Sequence, residues 1–130
     1  MMTKYGVMAA GAALCGSLMV AGCGSDAPRE ISFKSDVMPI LQKNCVECHT
    51  PPAGSGYQES GLALSSYDEL MKGTKFGKIV EPGSPVSSTL NRLIEGKADP
   101  SITMPHGKEP MTEQEIVTLS QWVAQGAKNN

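Results

Sequence analysis

Aromatic side chains are scarce in this 130-residue chain: one Trp, three Tyr and two Phe. A core built on so few rings must be filled by aliphatic side chains or by something other than protein. Histidine is scarcer, with two residues. No constellation of base, acid and nucleophile can be assembled from them, so an enzyme acting on an organic substrate is not expected. Neither sign of charge dominates: 11 Lys and Arg stand against 13 Asp and Glu, a net of −2. Without a basic excess, nucleic acid is not an expected partner. No apolar run reaches the roughly 20 residues that a membrane-spanning helix requires. No internal repeat and no strand-like alternation is present either.

The start of the chain has the layout of a secretory signal. Its only charge is Lys4, and an apolar, small-residue run follows from Val7 to Gly22. Leu18-Met19-Val20-Ala21-Gly22-Cys23, with Val20 to Cys23 as its centre, resembles a bacterial lipoprotein lipobox. The resemblance implies cleavage before Cys23, a diacylglycerol on its thiol and often a third acyl chain on the new amino terminus. At about 0.8 kcal/mol per buried methylene, several such chains anchor a protein stably. The alternative is an ordinary signal cut nearby, which leaves Cys23 as a stray thiol exposed to oxidation. Gly24, not Asp, follows the cysteine, so an Asp-type inner-membrane retention signal is absent. The expected location is therefore exported and lipid-anchored, on the periplasmic side of the outer membrane or at the cell surface.

The expected organisation is a signal peptide over 1–22, a lipidated Cys23 with a flexible tether over 23–34, and one domain over 35–128. Cleavage leaves ten basic and thirteen acidic side chains, a net of −3, and removes Cys15. Cys45 and Cys48 are then the cysteines left to the domain.

Hydrophobic spacing predicts a small all-α domain of about four short helices joined by long loops. The first runs over about Asp36 to Asn44, capped by Ser35 or Asp36, with Pro39 in its first turn and Val37, Ile40 and Leu41 on one face. Thr50 to Gly61, with two prolines and three glycines, is expected to be loop. Ser66 and Glu69 have capping-box spacing, and Gly73 can close a short helix. Ser87 or Ser88 begins the next, which carries Leu90, Leu93 and Ile94 and stops at Gly96. The last starts from Thr112 and Glu115, presents Ile116, Leu119, Trp122 and Val123 on one side, and ends at Gly126. Loops this long need something to hold them.

Cys45-Val46-Glu47-Cys48-His49 supplies a candidate. In C-x-x-C-H, two thiols three positions apart reach the two vinyl groups on one porphyrin edge, and the adjacent imidazole turns under the ring to meet iron. A zinc site would want a fourth ligand and only His106 remains. A redox dithiol usually sits in a strand–helix fold, and a Cys45–Cys48 disulfide would close only a tiny loop. One covalently attached haem c is the expected cofactor. For the sixth ligand, Met104 lies before Pro105 in a loop that needs a reason to be ordered. His106 and, behind it, Met111 are the alternatives, whereas Met38 and Met71 lie on helices as packing.

The blocks Asp36-Val37-Met38-Pro39-Ile40-Leu41, Cys45 to His49, Gly61-Leu62, Ile79 to Pro85, Ser88 with Leu90, Met104-Pro105 and Glu115 to Ala127 resemble class I c-type cytochromes. In particular, they resemble the planctomycete-type cytochrome c domain. The resemblance implies a small cytochrome c-like fold of short helices wrapped around one haem, with His49 below the iron and Met104 above. It implies electron transfer between a redox-protein donor and acceptor. Two departures stand out. His106 occupies the place of a second Pro often found after Met-Pro, and the first helix lacks the Gly that lets terminal helices cross closely.

The rival readings are a haem-based small-ligand sensor with a labile distal ligand, an electron-delivering subunit of a larger oxidoreductase, and a structural lipoprotein whose motif is coincidental. Arg92, Tyr57 and Tyr67 are secondary candidates for haem propionates. Lys72, Lys75 and Lys78 are candidates for docking an acidic partner, and a solvated surface accounts for each of these equally well.

Overall fold

A computed structural model describes Met2 and residues 28–130; apart from Met2, the expected signal peptide and the lipobox with Cys23 lie outside the described residues. After a π-helical turn at Phe33–Val37 come α1 (Met38–Asn44), α2 (Ser55–Ser60), α3 (Tyr67–Lys72), α4 (Thr89–Ile94), a 3-10 turn at Pro100–Ile102 and α5 (Glu113–Ala124). Among the described residues there is no strand, only an isolated bridge between Thr74 and Gly77. None of the described helices is long and apolar enough to cross a membrane. The architecture is the expected small all-α one, with one helix more than the spacing predicts.

The first helical segment begins earlier than expected. Ser32, not Ser35 or Asp36, occupies the cap, and its hydroxyl accepts from the Ser35 amide at 3.3 Å. Its carbonyl accepts from both the Asp36 and Val37 amides, which widens the turn into π geometry. Asp36 in turn accepts from the Ser32 amide at 2.8 Å and takes both arms of the Arg29 guanidinium. Pro39 sits within the first turn of α1, where its missing N–H leaves no bond unmade.

The stretch expected to be tether contributes to the core, because Ile31 and Phe33 are buried. The end of the chain explains why. Gln125 accepts from the Ile31 amide at 2.7 Å, and Asn130 accepts from the Phe33 amide through its side chain and from the Lys34 amide through its backbone. The two ends of the domain are thus tied side by side.

Trp122 on α5 has no exposed surface. Its ring lies 5.6 Å from that of Phe33 and 6.4 Å from that of Tyr67. Phe33 and Tyr67 meet edge to face at 5.2 Å, a geometry favoured by ring quadrupoles. These three rings, half of the chain's aromatic complement, gather at one place. Around them pack Val37, Leu41, Leu70, Leu119, Val123 and Ala127. The Trp122 indole donates to the Lys128 carbonyl and the Tyr67 hydroxyl to that of Ala127, so neither polar tip is stranded.

The Thr50–Gly61 segment contains α2, a helix the sequence does not announce. It buries none of its residues and therefore shows no apolar stripe. Gly54 provides its extended N-cap, and Gly61, at φ +72°, ends it in the left-handed conformation.

α5 has the complete reciprocal cap expected of it: Thr112 accepts from the Glu115 amide, and the Glu115 carboxylate accepts from that of Thr112. The same carboxylate accepts from Lys43 at 2.8 Å and Asn44 at 3.3 Å, which ties α5 to the end of α1. The Lys43 ammonium foremost, with Thr112 and Asn44 adding to it against partial burial, holds the Glu115 carboxyl down at about 2.

Two outcomes follow from this packing. Trp122→Ala is expected to cost about 3–5 kcal/mol, read from urea unfolding of the holo-protein. For Glu115, a depressed carboxyl stabilises the fold fully above its ordinary value of 4.5 and loses that contribution as pH falls towards about 2. The unfolding free-energy gap between wild type and Glu115→Gln should accordingly be open at pH 6 and close progressively on acidification; a gap independent of pH would contradict the assignment.

Candidate cofactor site

The Cys45–His49 turn grows directly out of α1. The Cys45 and Val46 amides both donate to the Leu41 carbonyl, and those of Cys48 and His49 both donate to the Cys45 carbonyl. Successive bonds to shared acceptors coil the five residues tightly and bring both thiols to the same cavity. That cavity has a volume of about 500 Å³ and is lined by Cys45, Cys48 and His49 together with Leu62, Leu64, Ile79, Leu90, Leu93 and Ile94. Met104, Pro105, His106 and Lys108 line it from the loop before α5. Its size falls within the range of small-molecule and cofactor sites, and its aliphatic wall suits a flat apolar ring system.

His49 is held by its backbone and its ring. Its carbonyl accepts from the Leu64 amide at 3.0 Å, and its Nδ1 lies 3.2 Å from the Leu62 carbonyl. A carbonyl can only accept, so Nδ1 carries the proton and Nε2 keeps its lone pair. Burial, opposed by the bond to Leu62, pushes the His49 imidazole below its ordinary value, and the neutral ring is the one able to ligate a metal. Burial likewise pushes the Cys45 thiol up to about 11, against the pull of the Lys108 ammonium. Cys45 and Cys48 are not bridged to each other, so both sulfurs are available for attachment.

The loop bearing Met104 is tied down at both sides of that residue. The Met104 amide donates to the Leu93 carbonyl at the end of α4, at 3.2 Å. Further on, Lys108 pairs with Glu47, inside the attachment turn itself. That contact holds the Glu47 carboxyl below and the Lys108 ammonium above their ordinary values. Met104 is half-buried and packs against the core, while His106 is exposed.

Of the other candidates, Met111 is buried in the core, and Met38 and Met71 pack against it as expected. Tyr67 points its hydroxyl at Ala127, not at the cavity. Arg92 is exposed and does not line the cavity. Among the described residues, no three His, Cys, Asp or Glu side chains converge as a metal-binding cluster. Two thiols, the His49 imidazole with a free nitrogen and an aliphatic chamber fit a covalently attached porphyrin.

Residues 45–106 match the family model described as Planctomycete cytochrome C. Over that stretch the chain is similar to this family. The matched stretch runs from the first attachment cysteine to just past Met104-Pro105, so it includes every residue of the cavity named above except Lys108. Among curated proteins and among solved structures, none matches the chain. The family implies haem c bound covalently, and the C-x-x-C-H of Cys45 to His49 agrees with it.

Two contributors to the site leave no mark that the sequence pattern reveals. The Leu62 carbonyl that orients His49 is a backbone group. Gly54 and Gly56, which read only as loop punctuation, bring α2 against the attachment turn: the Tyr57 amide donates to the Cys48 carbonyl, and that of Gly54 to the Thr50 carbonyl.

Proposed function

We propose that this cytochrome c domain is a single-haem electron carrier with His49 and Met104 as axial ligands, tethered outside the cytoplasm by lipid on Cys23. The observation that carries the reading is the gathering of Cys45, Cys48, a His49 with Nε2 free, and Met104 around one aliphatic cavity. When bound, haem iron supplies a one-electron ferric–ferrous couple. The chain's part is to fix the geometry around it. The Leu62 carbonyl holds the His49 ring in one tautomer and raises its basicity. A neutral thioether from Met104 favours ferrous iron and raises the potential, where a second imidazole would lower it. The aliphatic wall excludes water and disfavours the more charged oxidised state. Were His49 and Met104 both to hold the iron, they would leave no coordination site for oxygen or an organic substrate, which supports a carrier over an enzyme.

Met104 is preferred to His106 for a physical reason: it is half-buried and its amide is bonded to Leu93, so its position is restrained before ligation. Partner proteins, one donor and one acceptor, would approach where the cavity margin is apolar and exposed. Phe76 is 82% and Ile102 50% exposed there, with Lys75 stacked 5.1 Å over the Phe76 ring and Lys78 beside it on the cavity wall.

Haem staining of a denaturing gel tests the foundation, since a thioether-linked group survives denaturation; an unstained band from a host able to attach haem would remove the function. Met104→Ala should remain stained but lower the midpoint potential, on the order of 0.1 V within the roughly 0.8 V that axial ligation spans. An unchanged potential would take Met104 out of the site, and ready carbon monoxide binding by the wild type would favour a sensor. Cys23→Ala should move the protein from the membrane fraction to the soluble one; retention on the membrane would exclude Cys23 as the anchor.

A further inference from the structure

Gly56 is the second residue of α2. A Cβ at this position would lie 2.7 Å from Cε1, 2.8 Å from Nε2 and 3.0 Å from Nδ1 of His49. Near-equal distances to three ring atoms put that point over the face of the imidazole, not at its edge. The backbone of Gly56 is not in the left-handed region, so conformation does not demand glycine, and glycine gives up some helix stability relative to alanine. The space over the ring is what requires it.

The backbone that fills that space is a fixed stop. A Cβ at Gly54 would lie 2.4 Å from the Cys48 carbonyl oxygen and 2.8 Å from that of Thr50, so the start of α2 touches the attachment turn with no side chain between. The Tyr57 amide is bonded to the Cys48 carbonyl of that turn at 3.0 Å, and the Gly54 amide to the Thr50 carbonyl just beyond it at 2.9 Å. The His49 ring is tethered at Nδ1 by the Leu62 carbonyl, and ligation tethers it at Nε2. A ring held at these two nitrogens keeps one soft motion, rotation about the line through them. That rotation sets the imidazole plane relative to the porphyrin nitrogens, and a wall against the ring face is what limits it.

We infer that Gly56 is a positioning residue for the axial histidine: the backbone of α2 serves as a plate that fixes the plane of the His49 imidazole. The inference rests on the His49 ligation proposed above. A side chain at position 56 must turn or tilt the ring, since neither the bonded turn nor the ligated nitrogen can yield cheaply. The orientation of an axial imidazole governs the splitting of the iron d-orbitals, so the spectroscopic signature of the ferric protein reports it directly.

The experiment uses holo-protein. In the ferrous wild type, nuclear Overhauser contacts between the Gly56 Hα protons and His49 Hε1 are expected; their absence from a haem-stained protein overturns the inference, whether or not any variant folds. In ferric Gly56→Ala, thioether-bound haem should persist while the g-anisotropy and the spread of haem-methyl shifts change, accompanied by a shift in potential. A stained, folded Gly56→Ala with the wild-type pattern overturns it. Gln58→Ala, an exposed change on the same helix, should leave the pattern as it is, and an equal change there would show a general disturbance of α2 and also overturn it. An unstained wild type would bring down the haem reading and this inference together, whereas a stained wild type lacking the contacts removes only Gly56.

Discussion

One hydrogen bond sets the chemistry of the site: Nδ1 of His49 to the carbonyl of Leu62, at 3.2 Å. Were the ring flipped, the protonated nitrogen would face the cavity and the imidazole could not ligate there. The bond is available because the chain turns at Gly61 in a left-handed conformation and runs back along the attachment turn, with Leu64 bonded to the His49 carbonyl. The fold around it keeps that return segment in place. α2 spans the gap between the turn and Gly61, and buried Leu62 and Leu64 anchor the segment in the core.

The scarcity of aromatics and the presence of the cavity are two aspects of one design. Phe33, Tyr67 and Trp122 fill the side of the molecule where the chain ends meet. Toward the cavity, Leu62, Leu64, Ile79, Leu90 and Ile94 present aliphatic surface. A cavity of about 500 Å³ bordered by such side chains offers apolar surface that a bound porphyrin would cover, and a domain this small has little other apolar volume to bury.

Local signals were legible in the sequence, and long-range ones were not. The cap of α5 is a matter of two residues, Thr112 and Glu115, bonding each other's backbone, so it could be read directly and is found as read. The thiols and imidazole of Cys45 to His49 could be read because covalent attachment fixes their spacing. The start of the first helical segment was harder: Ser32, Ser35 and Asp36 are all competent caps, and the choice is made by Arg29 and Asn130 binding the residues around Ser32. α2 was illegible because no burial pattern writes it. Its residues remain at least partly exposed, and it is held by backbone bonds to the attachment turn.

The same distinction separates the two residues proposed as axial ligands. His49 is placed by bonds within a few residues of itself and one return strand of chain, and its geometry is over-determined by the Leu62 carbonyl and the α2 backbone. Met104 is placed by two ties of different strength. Its amide bond to Leu93 is partly shielded, whereas the Lys108–Glu47 pair is solvent-facing and contributes at most about 1 kcal/mol. The histidine side is thus held at its ring and its backbone, and the methionine side at its backbone amide and through one surface ion pair. An electron carrier needs little rearrangement between its two oxidation states, so on the proposed ligation that demand would fall chiefly on the more lightly tied Met104 loop.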